Sequence, residues 1–315
     1  MKRQTSHLIG YSILALILLM TMACAIEGQI PGNNQDLAAT QEALQQTQVA
    51  LSVEQTLAAM QQGDPVPSAE ATGNITVAPE PETTPINPLC DSGILVNFED
   101  VSFCYAPSLA SGVNSIIEPQ EISEMSENFN SPEHILFEFQ GYQLTPTFHE
   151  PVIHIYPIQA YTSINPFTQD RINELQTLLS QKPETPNNIP FLPQWNAGQM
   201  FSTQKAYIQF ANGEGIRFLT QYGQSYWPIN NEDLFYTFQG ITNDGQYYIS
   251  AILPISNPEL PASGETWPGD LTHLGETYDV YIENMNILLY SQSDDSFAPT
   301  LTLLDDMIRS ISINQ

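Results

Sequence analysis

The residues able to build a hydrophobic core are confined to one part of this chain. Of 315 residues, with 14 Phe, 14 Tyr and 3 Trp, nearly all the aromatic side chains fall within 89–315. Residues 1–26 are mostly apolar, and 27–88 are rich in Gln, Ala, Thr and Pro. Folding must bury enough apolar surface to offset the entropy of ordering the chain, so only the last stretch can hold a packed domain. At about 225 residues it lies within the range of one core.

Inside that stretch, short alternating or apolar runs mark strands at Ile94–Phe98, Val101–Tyr105, Ile135–Tyr142, Val152–Ile158, Lys205–Phe210, Gly215–Tyr222, Leu234–Ile241, Tyr247–Ile255 and Ser310–Ile313. Asn212-Gly213 and the Asn243-Asp244-Gly245-Gln246 segment read as hairpin turns using positive φ. Helical periodicity predicts a helix over Gln169–Gln181 capped by Thr168, one helix over Leu271–Tyr290, and a last one over Leu301–Arg309. Hairpins with two or three packing helices predict an α+β domain on an antiparallel sheet. The closing order of helix then short strand is similar in layout to Mog1/PsbP-type α/β/α sandwiches. The segments IPFLPQWNAGQMF, FANGEGIRFLTQY and LFYTFQGITNDGQYYISAILPIS resemble stretches of uncharacterised extracytoplasmic proteins from Chloroflexi-type bacteria. That resemblance spans about residues 95–315; it implies a shared fold and address and brings no catalytic residues.

Upstream, Lys2 and Arg3 precede an apolar run, Leu8–Met20, and then the small-residue segment Thr21-Met22-Ala23-Cys24. Basic, apolar and small residues in this order make an export signal. Three readings fit. Residues 1–23 are a signal peptide and Cys24 becomes the lipidated first residue, with Thr21 standing where a lipobox usually has Leu. Alternatively Ala23-Cys24-Ala25 is cut by ordinary signal peptidase, or Leu8–Ile26 stays as an anchor. Lipid on Cys24 would leave Cys90 and Cys104 as an even pair, and export favours their oxidation to a disulfide. The bridge would close a loop of about 15 residues, worth on the order of 3 kcal/mol. Residues 24–62 read as a helical stalk, with Leu37, Leu44 and Leu51 at heptad spacing. Thr40, Thr47 and Glu54 hold the complementary core position, so a solvated spacer and a homo-oligomeric coiled coil both remain open. Residues 63–88 form a Pro/Thr/Glu-rich linker expected to be disordered.

Charge narrows the partners. The net charge of −28 comes from 35 acidic against only 7 basic residues. Beyond the export signal the cations are Arg171, Lys182, Lys205, Arg217 and Arg309 alone. Such a chain repels phosphate backbones, which excludes nucleic acid as a partner. Its partners are then the membrane, through the N-terminus, and an unidentified protein or small molecule.

No nucleophile elbow, phosphate loop or calcium loop is present, and no cofactor is implied. His149, Glu150 and His154 are the one close set of metal-ligand residue types. Pro151 and Pro157 exclude a shared helix and odd spacing separates the histidines on a strand, so they need a turn at Glu150-Pro151 to meet. Trp195, Trp227 and Trp267 lie in loop-like stretches, where they can stack on sugar faces, anchor a protein partner, or plug sheet ends. Arg217 reads as an ion-pair partner. These features predict a lipid-anchored, non-enzymatic binding or interaction module. The alternatives are a hydrolase assembled from distant residues such as His149, His154, Asp244 and His273, or a structural envelope component.

Overall fold

In a computed structural model residues 88–314 are described, and they belong to one compact unit, Pro81–Gln315. The export segment, Cys24, the heptads and the linker through residue 87 lie outside the described residues. In chain order the elements are α1 (Pro88–Ser92), β1 (Ile94–Phe98), β2 (Val101–Tyr105), β3 (Gly112–Glu118), β4 (His134–Gln140), β5 (Val152–Pro157), α2 (Ile158–Ile164), α3 (Thr168–Gln181), β6 (Gly198–Phe210), β7 (Gly213–Gly223), β8 (Phe235–Thr242), β9 (Tyr247–Pro254), α4 (Leu271–Leu274), α5 (Tyr278–Tyr290), α6 (Leu301–Arg309) and β10 (Ser312–Ile313). The domain is α+β, with two antiparallel sheets. Seven strands run in the order β3-β4-β5-β9-β8-β7-β6, and three in the order β1-β2-β10.

The larger sheet has a core on each face. On β9, Ile249, Ala251 and Leu253 pack into one core while Tyr248 and Ile252 pack into the other, as the two-residue period of a strand requires. The first core is closed by α5, α6 and the small sheet through residues such as Leu289, Leu304 and Phe103. The second is closed by α2, α3 and the segment 183–197, through Tyr161, Leu175 and Phe191. Double coverage explains why every residue of β8 is buried.

Cys90 of α1 is bonded to Cys104 of β2, with 5.3 Å between their Cα atoms. The cysteine pairing expected from the sequence is therefore present. A buried ion pair ties the first core together. Arg217 of β7 lies 3.4 Å from the Asp305 carboxylate of α6, whose other partners are the Tyr236 hydroxyl, donating at 3.0 Å, and Arg309 at 3.7 Å. Burial raises the Asp305 pKa above the usual carboxylate value, and Arg217 opposes that rise. Arg217 also donates through Nη1 to the carbonyl of Gln204, at a bulge in β6 where Gln204 takes φ 50°.

Local readings are corrected at four places. The β8–β9 turn uses positive φ at Gly245 (70°), as expected, but the β6–β7 hairpin turns through Ala211-Asn212, and neither Asn212 nor Gly213 has positive φ. Gly213 is required for a different reason: a Cβ there would collide with the Phe210 ring and the Ile241 carbonyl. The single helix expected over Leu271–Tyr290 splits into α4, a 3₁₀ turn at Gly275–Thr277, and α5. At that break the Tyr226 ring packs close to Gly275, and the Tyr278 hydroxyl donates to the Trp227 carbonyl at 3.2 Å. Thr168 does not cap α3: the cap is Phe167, whose amide donates to Asn165 Oδ1 at 3.1 Å, and Thr168 is the buried first residue of the helix. Finally, α1, β3 and α2 were not expected.

Candidate functional site

The site begins with buried polar residues on the second-core face of the sheet. Gln239 of β8 accepts the Leu192 amide at 3.0 Å, and Ser250 of β9 donates to the Leu192 carbonyl at 2.6 Å. Gln239 Nε2 donates to Thr237 and Ser250, and the Tyr248 hydroxyl donates to Gln239 Oε1. A non-helical segment is thus held on the sheet through both polar groups of one residue, with no buried donor or acceptor of that peptide unpaired. Burial pushes the Tyr248 pKa far up, so its hydroxyl stays a donor.

This anchorage sets Phe191 and Trp195 against the start of β8 and the end of β7. Trp195 stacks on His149 at 4.9 Å and 11°, and meets the edges of Phe191 at 4.9 Å and Tyr222 at 5.2 Å. Beneath them lies Phe235, 4.5 Å from His149. Two hollows open beside the indole, and both are bounded by Trp195, Ala197 and Tyr222. One, of about 370 Å³, reaches Phe167 and Arg171; the other, of about 670 Å³, reaches Phe148 and Glu150. Both volumes are in the range of small-molecule sites. Phe148 stands 72% exposed at the rim. Burial among these rings lowers the His149 pKa to about 4, so its imidazole is neutral at pH 7 and packs as an aromatic.

His154 is elsewhere. The chain between His149 and His154 runs extended into β5 instead of turning at Glu150-Pro151, so the two histidines do not meet. Its partner is His134 of β4, with 2.9 Å between His134 Nε2 and His154 Nδ1. His134 Nδ1 lies 2.9 Å from the Pro132 carbonyl and must donate to it. Its Nε2 is then the acceptor, and neutral His154 carries its proton on Nδ1. Burial, then the neighbouring His134, lowers the His154 pKa to about 3; burial also lowers that of His134. Glu150 is exposed on the wall of the larger hollow. The three residues that sequence offers as metal ligands are thus dispersed. Among the described residues no group of three or more His, Cys, Asp or Glu side chains is placed to hold a metal.

The remaining candidates also part company. Asp244 accepts from Thr242 and from the Gln246 amide within its hairpin turn, and His273 pairs with Asp270 at 2.7 Å on the surface. Trp227 and Trp267 pack elsewhere. The Trp227 indole packs where a Cβ on Gly264 would sit, and Trp267 meets Tyr281 at 5.6 Å. Of the three tryptophans, Trp195 alone borders the two hollows. Sequence reasoning missed Tyr222, Phe148 and the anchoring pair Gln239 and Ser250; the one available signal was polar residues recurring on otherwise apolar strands.

No protein-family model matches the chain, and no curated protein or solved structure matches it.

Proposed function

We propose that the protein is a non-enzymatic binding module, held at a membrane by its N-terminus, whose ligand enters the cleft around Trp195. The observation that carries this reading is the pairing of two adjoining hollows with an aromatic wall fixed by a buried polar network. A rigid aromatic wall with polar groups at its rim binds at low ordering cost. The separate partners of His149, His154, Asp244 and His273 favour binding over hydrolysis. Lipid on Cys24 is the proposed anchor, with residues 24–62 as a spacer and 63–88 as a linker. The Cys90–Cys104 bridge supports an oxidising, extracytoplasmic address, and the resemblance to extracytoplasmic Chloroflexi-type proteins supports the same.

Two measurements test it. Fatty-acid labelling in cells should mark the wild type and spare Cys24→Ala, which should leave the membrane fraction; labelling of both removes Cys24 as the anchor. Native mass spectrometry of the full chain from its producing cells should show a retained mass that Phe148→Ala loses. A bare wild-type mass, or a retained mass indifferent to Phe148, argues against the cleft.

A further inference from the structure

We infer that the cleft around Trp195 takes a neutral oligosaccharide, its sugar rings seated in the two adjoining hollows that the indole borders. This rests on the cleft being the binding site, and goes further by naming the chemistry of the ligand. Three sets of observations lead to it.

The first is shape. The hollows of about 370 and about 670 Å³ share Trp195, Ala197 and Tyr222 as walls, so two compartments adjoin at one indole. A ligand made of repeated ring-shaped units fits two adjoining compartments better than one compact molecule does. Phe167, 45% exposed, borders the smaller hollow and Phe148, 72% exposed, the larger. Leaving large aromatic rings in water lowers solubility without adding to the core, which makes their placement around a cleft informative.

The second is hydrogen-bonding capacity. Asn188 and Gln194 border the smaller hollow and Asn196 the larger. Among the described residues none of these three amides makes a side-chain hydrogen bond. A carboxamide donates and accepts, as does each sugar hydroxyl, while the C–H face of a sugar ring is apolar and meets the electron-rich face of an aromatic ring. Amides alternating with rings therefore match both aspects of a sugar, where a purely apolar ligand would leave the amides unused.

The third is charge. Arg171 is the cation at the cleft, and it already pairs with Glu174 at 2.7 Å. Glu150 borders the other hollow, and the chain as a whole carries −28. A phosphorylated or uronic-acid ligand meets no uncommitted cation here and is repelled by the surrounding field. A cationic ligand finds one exposed carboxylate. Neutral sugars suffer neither limitation.

The test is titration calorimetry on the full chain in a polyoxyethylene detergent, which carries no sugar. The probes are cellotetraose, mannotetraose and chitotetraose, with tetragalacturonate and a proline-rich decapeptide as the acidic and peptide alternatives. Binding of at least one neutral tetrasaccharide is expected, weakened about tenfold by Phe148→Ala or Gln194→Ala and unchanged by Trp227→Phe. Phe148 is exposed and Gln194 half-buried, so both variants should keep the wild-type circular dichroism. Tetragalacturonate or the peptide binding in a Phe148-dependent way, with neutral sugars silent, overturns the sugar assignment while the cleft stands as the site. Sugar binding that ignores both substitutions overturns the cleft as the place where it happens. No heat with any probe overturns the inference, and the retained-mass experiment then decides the cleft separately.

Discussion

The paired histidines make the domain sensitive to acid in a way that can be calculated. An imidazole in the unfolded chain takes up its proton near pH 6.5, whereas His154 in the folded domain does so at about 3. Between these values the unfolded state binds one proton more, so stability is fully present above pH 6.5 and declines as pH falls toward the folded value. The slope is about 1.4 kcal/mol per pH unit. From pH 7.5 to 4.5 the contribution of His154 is a loss of about 3 kcal/mol. His149, at about 4 in the folded state, adds a loss of similar size over the same interval. His134 acts in the same direction, and Asp305, with its raised value, acts in the opposite one. His154→Gln removes the first contribution and the hydrogen bond to His134, while His149 and Asp305 are common to both proteins. Urea unfolding followed by tryptophan fluorescence at pH 7.5, 6.5, 5.5 and 4.5 gives the two profiles. The variant should be the less stable protein at neutral pH, and the gap should close by about 3 kcal/mol by pH 4.5. Parallel profiles at constant m-value would refute the reasoning, showing that His154 takes up a proton in the folded state as readily as in the unfolded one.

Three other outcomes are expected. Arg217→Met leaves Asp305 buried without its main counter-charge and frees the Gln204 carbonyl, so it should cost about 3–5 kcal/mol, whereas Arg217→Met with Asp305→Leu should recover most of that; a double variant no more stable than the single one contradicts this account. Gln239→Leu strands the Leu192 amide and the Tyr248 hydroxyl, and should cost about 2–4 kcal/mol in thermal unfolding while speeding hydrogen exchange in residues 189–197; unchanged exchange there would show that the segment is held by other means. Replacing Cys90 and Cys104 with Ala should lower stability by about 3 kcal/mol in urea, and an equal stability of oxidised and reduced wild type would contradict it.

The strands with strong local signals were legible. β8 and β9 carry apolar runs around a turn whose Gly245 does adopt positive φ, and both appear within a residue or two of their expected limits. β3 was not legible because Gly112–Glu118 is an edge strand, half exposed on both faces, whose apolar residues do not alternate. Helical periodicity continued through Gly275 because it cannot register the close approach of Tyr226. The site was legible only as a residue. Trp195 stood out as a loop tryptophan, but its stacking on His149 depends on residues 183–197 folding back over β8, which no local pattern encodes. Gln239 and Ser250 look in sequence like the solvent side of alternating strands. A two-residue period says which face a side chain takes, not whether that face is covered.

The bridge between Cys90 and Cys104 also decides how the domain meets a mechanical load. A pull on the chain at residue 88 would first reach β1, a short edge strand with Ile94 and Leu95 exposed, and could unzip it from β2 one pair at a time. The covalent link diverts the tension past β1 and delivers it to Cys104, inside a fully buried position. There the Cys104 amide donates to Ser310 Oγ at 2.8 Å and its carbonyl accepts from the same hydroxyl at 3.1 Å, so the force is handed to the end of α6. In the oxidised protein the point of attachment is in effect the centre of the three-stranded sheet, and a tug that would fray the reduced domain must instead displace a helix packed into its main core.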